Sequence, residues 1–373
     1  MNFRTLLLVF ASVLACWSCG SHGTTGVSAD AVSDSTIYAR GFVISEGSGY
    51  TIITVKDPWK EGRILNTYVL VPADSRIDGG LPQGTVIRVP VCRAAIYSTV
   101  HAAIVEELGS LDMVAGLCET EYATSPEVKR RIVSGQLADF GQATSPNIEK
   151  MLDEETDLVI DSPYENAGPG AAEKLGIPVF EAADYMENHP LGRVEWIKVF
   201  GCLFQQQAKA DSIFNATVAR YNEIKALAAS AAVRPTVVLE RKYGSSWLAP
   251  ASNSYIARIH SDAGASYIFD GLLREGVMNI PLETVLDKAE TADFWLFKYS
   301  SRHPYTYGDL AEEYPPYSRL KAFRQKSVFG CNTVGSSYYD DIALHPDLLL
   351  EDLVSIYHPE LLPGYEARYY FPL

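Results

Sequence analysis

Side chains capable of chemistry are plentiful in this 373-residue chain, but none stands at a spacing that makes a reactive centre. No G-x-S-x-G elbow exposes a nucleophile. No phosphate-binding glycine loop, no G-x-G-x-x-G turn and no H-E-x-x-H pair is present. The seven histidines are scattered, and His345-Pro346 and His358-Pro359 read as helix-boundary dipeptides, because proline drives the residue before it out of the helical region. His101, His189, His260 and His303 would hold a metal only if the fold brought them together with carboxylates. Cys92, Cys118, Cys202 and Cys331 match no zinc or redox spacing. They are expected as reduced thiols, with Cys92 and Cys118, in or beside predicted buried strands, the one pair to test.

Binding suits the remaining residue types better than reaction does. In open α/β sheets ligands lie beyond the carboxyl ends of the strands, so the loops there are the place to look. In the first half those loops supply Arg93, Tyr97, Tyr122, Tyr164 and Tyr185; in the second they supply Arg241, Trp247, Lys298, Tyr299 and Arg302. Asn166, Lys242, Tyr243, Tyr338 and Tyr339 lie beside them. Singly, each could be a solvated loop side chain or a core aromatic. As a set they describe a broad pocket with flat apolar walls and positive charge, suited to a large anionic chelate or a macrocycle and calling for no cofactor and no metal.

Two stretches share the grammar that would position those loops. Pro146-Asn147-Ile148-Glu149 leads through a short helix to Asp157-Leu158-Val159-Ile160, and Pro281-Leu282-Glu283 leads through another to Asp293-Phe294-Trp295-Leu296-Phe297. Each reads as a proline-opened helix with an acidic first turn, followed by a strand apolar enough to be covered on both faces. The chain is long enough for two domains of ordinary size, each with its own core. From Leu191 to Ala232 no proline occurs and apolar residues recur at helical spacing, as in Ile197, Phe200, Leu203, Tyr221 and Ile224; this predicts one long connecting helix. Three alternating segments, at 37–44, 50–55 and 67–71, predict a β-meander in front of the first lobe.

A formal net charge of −15 implies no basic face for nucleic acid. Arg4 precedes an apolar run that continues through small residues to Ala15, short of the ~18 apolar residues a membrane span needs, and so reads as a secretory signal. Val13-Leu14-Ala15-Cys16 is similar to a lipoprotein-processing site; Cys19 competes with Cys16 for that role, and an ordinary cleaved signal is the plainer alternative. The Ser/Thr/Gly/Ala-rich stretch that follows suits a flexible tether.

Val86-Ile87-Arg88-Val89 reads as a first strand, followed by a loop at 93–98, a helix from Thr99 to Leu108 ended by Gly109, and a strand at Val114 to Leu117. Lys174-Leu175-Gly176-Ile177-Pro178-Val179-Phe180, Arg234-Pro235-Thr236-Val237-Val238-Leu239 and Ser327-Val328-Phe329 continue the series. From about residue 85 to 360 this order of elements resembles the class III periplasmic substrate-binding proteins, which hand ferric siderophores, haem or vitamin B12 to ABC importers. The resemblance implies two three-layer α/β lobes joined by one long helix, with the β-meander as an extension. The expected organisation is a signal at 1–18, a tether at 19–36, an extension at 37–84, lobes at 85–190 and 233–373, and the helix at 191–232.

The function implied is non-enzymatic: a monomeric, periplasmic, lipid-anchored protein that captures an iron chelate, or alternatively a corrinoid, and delivers it to an ABC permease. A surface enzyme or adhesin on the same scaffold is the rival. The resemblance also implies that Glu149 and Glu283 dock against the permease, although a first-turn Glu serves equally to offset a helix dipole.

Overall fold

The computed structural model describes residues 36–76, 80–166, 170–272, 277–334 and 336–373. The signal, Cys16, Cys19 and the tether up to residue 35 lie outside the described residues. Among the described residues no helix is long and apolar enough to cross a membrane.

The alternating segments form the expected antiparallel meander, β1 (Phe42–Glu46), β2 (Thr51–Lys56) and β3 (Ile64–Pro72). A fourth strand, β4 (Thr85–Val89), joins it parallel to β3, and this corrects the expectation that residues 86–89 begin the first lobe. The reason is visible in β4 itself: Ile87 and Val89 are buried while Val86 and Arg88 are exposed, the alternation of a sheet with one wet face. The strand that does begin the lobe, β5 (Ala94–Ile96), is buried at every residue, but at three residues it is too short to show a pattern.

The first lobe is a parallel sheet of β5, β6 (Val114–Leu117), β7 (Ala138–Asp139), β10 (Leu158–Asp161) and β11 (Val179–Glu181), ordered β11-β10-β5-β6-β7; a small hairpin of β8 (Gly141–Gln142) and β9 (Ser145–Pro146) follows β7. Helices α1 (Thr99–Glu107), α2 (Pro126–Val133), α3 (Ile148–Asp153) and α4 (Ala171–Lys174) lie between the strands. Gly109 ends α1 at φ 71°, in the left-handed region that a helix terminator requires. In α3 the Asn147 side chain, accepting from the Lys150 N–H at 3.0 Å, is the cap, and Pro146 stands outside in β9.

The connector is three helices where one was expected: α5 (Pro190–Glu195), α6 (Ile197–Leu203) and α7 (Gln207–Ala229). Gln205, at φ 54°, breaks the run, and no glycine or proline marks that break in the sequence. Helix α7 still links the lobes. At ~1.5 Å per residue its 23 residues reach about 35 Å. Its Ala210 and Phe214 belong to the first lobe's core, while Tyr221, Ile224 and Ala228 belong to the second's.

The second lobe contains β12 (Thr236–Leu239), β13 (Lys242–Tyr243), β14 (Ser246–Pro250), β15 (Ser266–Tyr267), β16 (Val277–Pro281), β17 (Phe294–Tyr299), β18 (Val328–Asn332) and β19 (Phe371–Pro372). Its main sheet is ordered β15-β12-β17-β18-β19, parallel except for β19. A separate antiparallel sheet, β13-β14-β16, stands beside it. Helices α8 (Tyr255–Asp262), α9 (Leu282–Ala289), α10 (Tyr307–Glu313), α11 (Lys321–Gln325), α12 (Tyr338–Leu344) and α13 (Pro346–Tyr357) complete it, and Pro281 occupies the cap of α9.

Candidate ligand-binding cleft

The cleft grows from strand ends. Where β12 stops, the chain turns through Glu240 at φ 64°, a conformation that costs a non-glycine residue on the order of 1–3 kcal/mol. That turn places the Glu240 carboxylate against the ammonium of Lys298 near the end of β17, and the two are ion-paired. Burial lowers the Lys298 ammonium to about 8, against a smaller opposing effect of Cys331. Arg241 pairs with Glu313 of α10 and lies 5.2 Å from the Tyr305 ring centre. The Tyr305 and Tyr317 hydroxyls also donate to Glu313, at 2.8 and 3.2 Å. Lys242 has no side-chain partner among the described residues.

The first lobe contributes the 3-10 turn Asp184–Met186. Tyr185 is fixed there by its hydroxyl, which donates to the Pro163 carbonyl at 2.6 Å. Beneath it, Asp184 is fully enclosed, with His101 Nε2 at 2.8 Å and Arg193 Nε at 2.9 Å. Burial alone would raise this carboxyl, but Arg193 and then His101 outweigh it and hold it at about 2. The Arg193 guanidinium also lies 5.8 Å from the ring of Tyr255, so the network runs from the first lobe into α8 of the second.

Between these walls is a cavity of ≈ 750 Å³. Tyr185, Arg241 and Lys298, three of the residues picked from the sequence, line it together with Lys242 and Tyr243. Others do not. Trp247 sits in β14, wholly buried, its indole N–H donating to the Leu239 carbonyl at 2.8 Å and its ring packed by Trp295 and Tyr317. Arg93 precedes β5 and so stands at the wrong end of the sheet, bound to the Glu154 carbonyl and carboxylate. Tyr97 and Tyr299 are nearly buried: Tyr97 has its hydroxyl 3.9 Å from the Met151 sulfur, and Tyr299 accepts from the Tyr305 N–H. Tyr122, Tyr164 and Arg302 are exposed beyond the cavity lining.

Sequence reasoning missed Glu240, Glu187, Tyr255 and Pro58, all of which line the cavity. Glu240 was within its reach, because it is the first residue after β12. The missed carboxylates overturn the expected positive charge. Lys298 pairs with Glu240, and Arg241 with Glu313, which stands behind the lining; Lys242 and Glu187 are not paired with each other, and with Glu313 counted the six formal charges sum to zero.

His101, His189, His260 and His345 serve the fold, and His303 is exposed. His189 caps α5, His260 faces the Tyr357 hydroxyl and His345 pairs with Glu107. No group of three or more potential metal ligands gathers among the described residues. Cys92 is exposed just before the buried strand β5, and Cys118, Cys202 and Cys331 are buried; all four are free.

Two α/β lobes, a helix threading both cores and a cleft at the strand ends define a bilobal binding protein. The sequence model of the periplasmic binding protein family matches residues 95–333, and the chain belongs to that family, in its class III branch. It is similar to two uncharacterised lipoproteins of Methanocaldococcus jannaschii. One is 27% identical over 76% of this chain and 69% of its own length, and the other is 25% identical over 84% and 83%. Among solved structures, a periplasmic binding protein from Veillonella parvula superposes with a TM-score of 0.63 at 14% identity, over 84% of this chain and 99% of that one. A periplasmic haem-binding protein from Pseudomonas aeruginosa gives 0.57 at 18% identity, over 75% and 97%.

Proposed function

We propose that this solute-binding protein of an ABC transporter captures an iron chelate of low net charge, a hydroxamate-type siderophore or haem, in the cleft between its lobes. The observation that carries this is the charge balance of a cavity large enough for such a solute. A ferric trihydroxamate is neutral, since three hydroxamates match the three charges of the iron, and haem carries little net charge. A ferric triscatecholate keeps a charge of −3 and would need several cations, of which Arg241 and Lys298 here already pair with carboxylates. The same balance suits a corrinoid, which stands as the second reading. Tyr185, Tyr243 and Tyr255 supply apolar faces for the ligand's hydrocarbon shell, and Lys242 a cation with no side-chain partner among the described residues.

A thermal-shift screen of ferrichrome, haemin, cyanocobalamin and ferric enterobactin tests the proposal. One of the first three should stabilise the protein, by about 2.7 kcal/mol at a hundredfold excess over Kd, with the ligand recovered unchanged. Conversion of the ligand would favour an enzyme.

Glu149 and Glu283 dock the permease in this account. Both are exposed, both lie in the first turn of their helices, and neither carboxylate has a partner among the described residues. Their helices are equivalent: α3 leads into β10, which pairs with the lobe's first strand β5, and α9 leads into β17, which pairs with the first strand β12. The Glu149→Arg, Glu283→Arg double variant should fold and bind solute normally yet fail to support uptake by its own transporter. Normal uptake at matched protein levels would leave both as helix-dipole residues. An extracytoplasmic location with a lipid anchor at Cys16 or Cys19 completes the proposal, supported by the family and by the lipoprotein relatives.

A further inference from the structure

The β-extension precedes the stretch that matches the family, yet it is built into the cleft. Phe42, Tyr68 and Leu70 share one core with Phe180 of the first lobe and Trp196 of the connector, and the Tyr68 hydroxyl accepts from the Glu181 N–H at 2.9 Å. Two carboxylates clamp the chain just before β1. Glu195 accepts from the N–H groups of Ile37, Tyr38 and Ala39, and Glu187 from those of Arg40 and Gly41 and from the Trp196 indole. Glu187 is itself a cleft residue, so the anchor of the extension and the wall of the cavity are one side chain.

The loop between β2 and β3 reaches the cavity. Asp57 fixes it by accepting from the N–H groups of Trp59 and Lys60 at 2.9 and 3.1 Å, while its own N–H donates to the Arg63 carbonyl. Pro58 lines the cavity with Tyr185 and Met186 of the first lobe and Tyr243 and Leu248 of the second. Trp59 follows. The described residues include three other tryptophans, Trp196, Trp247 and Trp295, all wholly buried; Trp59 is partly exposed and stacks on no aromatic ring among the described residues. Trp59 does not itself line the cavity, but a partly exposed aromatic one residue from a lining proline is a source of binding energy that a ligand can realise.

We propose that the β2–β3 loop is a third wall of the cleft, and that Pro58 and Trp59 at its tip contact the bound solute through its apolar faces and set which solutes fit. This rests on the reading of the cleft as the solute site. Two variants test it. Trp59→Ala removes the ring, and replacing residues 57–63 with Asn-Gly shortens the loop to a tight turn that preserves the hairpin. Each is titrated with ferrichrome, haemin and cyanocobalamin, and separately with the apolar dye anilinonaphthalene sulfonate, which needs no cognate ligand.

Both variants should keep the ligand-free melting temperature and lose about tenfold in affinity for whichever chelate the parent binds. Trp59→Phe should recover most of it. Parent-like affinity in the shortened hairpin would overturn the third wall while leaving the chelate reading intact. If the parent binds none of the three, the chelate reading fails and the dye decides. Weaker dye binding in the shortened hairpin supports the third wall, and equal binding overturns it.

Discussion

The two lobes share four strands in one arrangement, β6-β5-β10-β11 in the first and β15-β12-β17-β18 in the second, and differ in what surrounds those strands. The first adds β7 and leans on the extension, and its strongest ionic network, Asp184 with His101 and Arg193, is sealed beneath the cleft. The second adds the β13-β14-β16 sheet and brings its ion pairs, Glu240–Lys298 and Arg241–Glu313, to the cleft itself. The difference separates two tasks. One lobe holds its charges where they fix shape, and the other holds them where a solute meets them.

The largest effect expected from this contrast is at Trp247. If the second lobe's antiparallel sheet is packed by that ring, Trp247→Ala should cost about 3–5 kcal/mol in urea unfolding. A loss below about 1 kcal/mol would return Trp247 to the cleft and blur the division between core and rim.

In the first lobe, Asp184→Asn leaves Arg193 buried without a counter-charge and should cost about 3 kcal/mol, the low end for a broken buried pair, because the amide can still accept a hydrogen bond. The folded-state carboxyl lies at about 2, below an unfolded value of about 3.9, so its contribution is full above the latter and lost as pH falls through the former. Acid unfolding curves of parent and variant should therefore converge toward pH ~2. Curves that stay parallel would remove Asp184 from the account.

A smaller change sharpens the rim side of the comparison. Glu240→Gln releases Lys298 and gives the cleft one net positive charge, so affinity for an anionic triscatecholate should rise about tenfold while that for a neutral trihydroxamate stays level. No gain for the anion would mean that charge at the rim does not select the solute.

The smallest effect is at the junction of the lobes, where His345 faces Glu107 on α1 at 3.3 Å, both partly exposed. The hydrogen bond to Glu107 raises the His345 imidazolium against the opposing effect of burial, and the nearby Asp347 and Asp341 add to the rise. A raised folded-state value means the stabilisation is complete below about pH 6.5 and fades as pH climbs through that value. Glu107→Gln should cost under about 1 kcal/mol at pH 6 and flatten the alkaline decline. An unchanged pH profile would separate the pair from lobe contact.

Much of this was legible where local rules and tertiary packing agree. The helix from Thr99, the glycine at 109, the strand at Val114 and both glutamate helices follow from caps and periodicity. β5 was hidden because Ala94-Ala95-Ile96 is too short to carry a pattern, and β4 took its place because Val86 and Val89 look like a buried strand until the exposure of Val86 and Arg88 is known. The helix break at Gln205 depends on one residue's φ, with no glycine or proline to announce it. For the cleft, the strand-end rule located Tyr185, Arg241 and Lys298. It says where a residue lies along the chain and nothing about where its side chain points, so it also picked Trp247. Nor could it find Pro58, which approaches the cleft from another sheet.

Selectivity of the solute cleft for low charge is measured by calorimetric titration of one protein sample with ferrichrome and with ferric enterobactin at low and high salt. The neutral trihydroxamate should bind one-to-one with a Kd nearly independent of salt, and the triscatecholate at least about tenfold more weakly. Tighter binding of the triscatecholate, weakening steeply as salt rises, would contradict that selectivity.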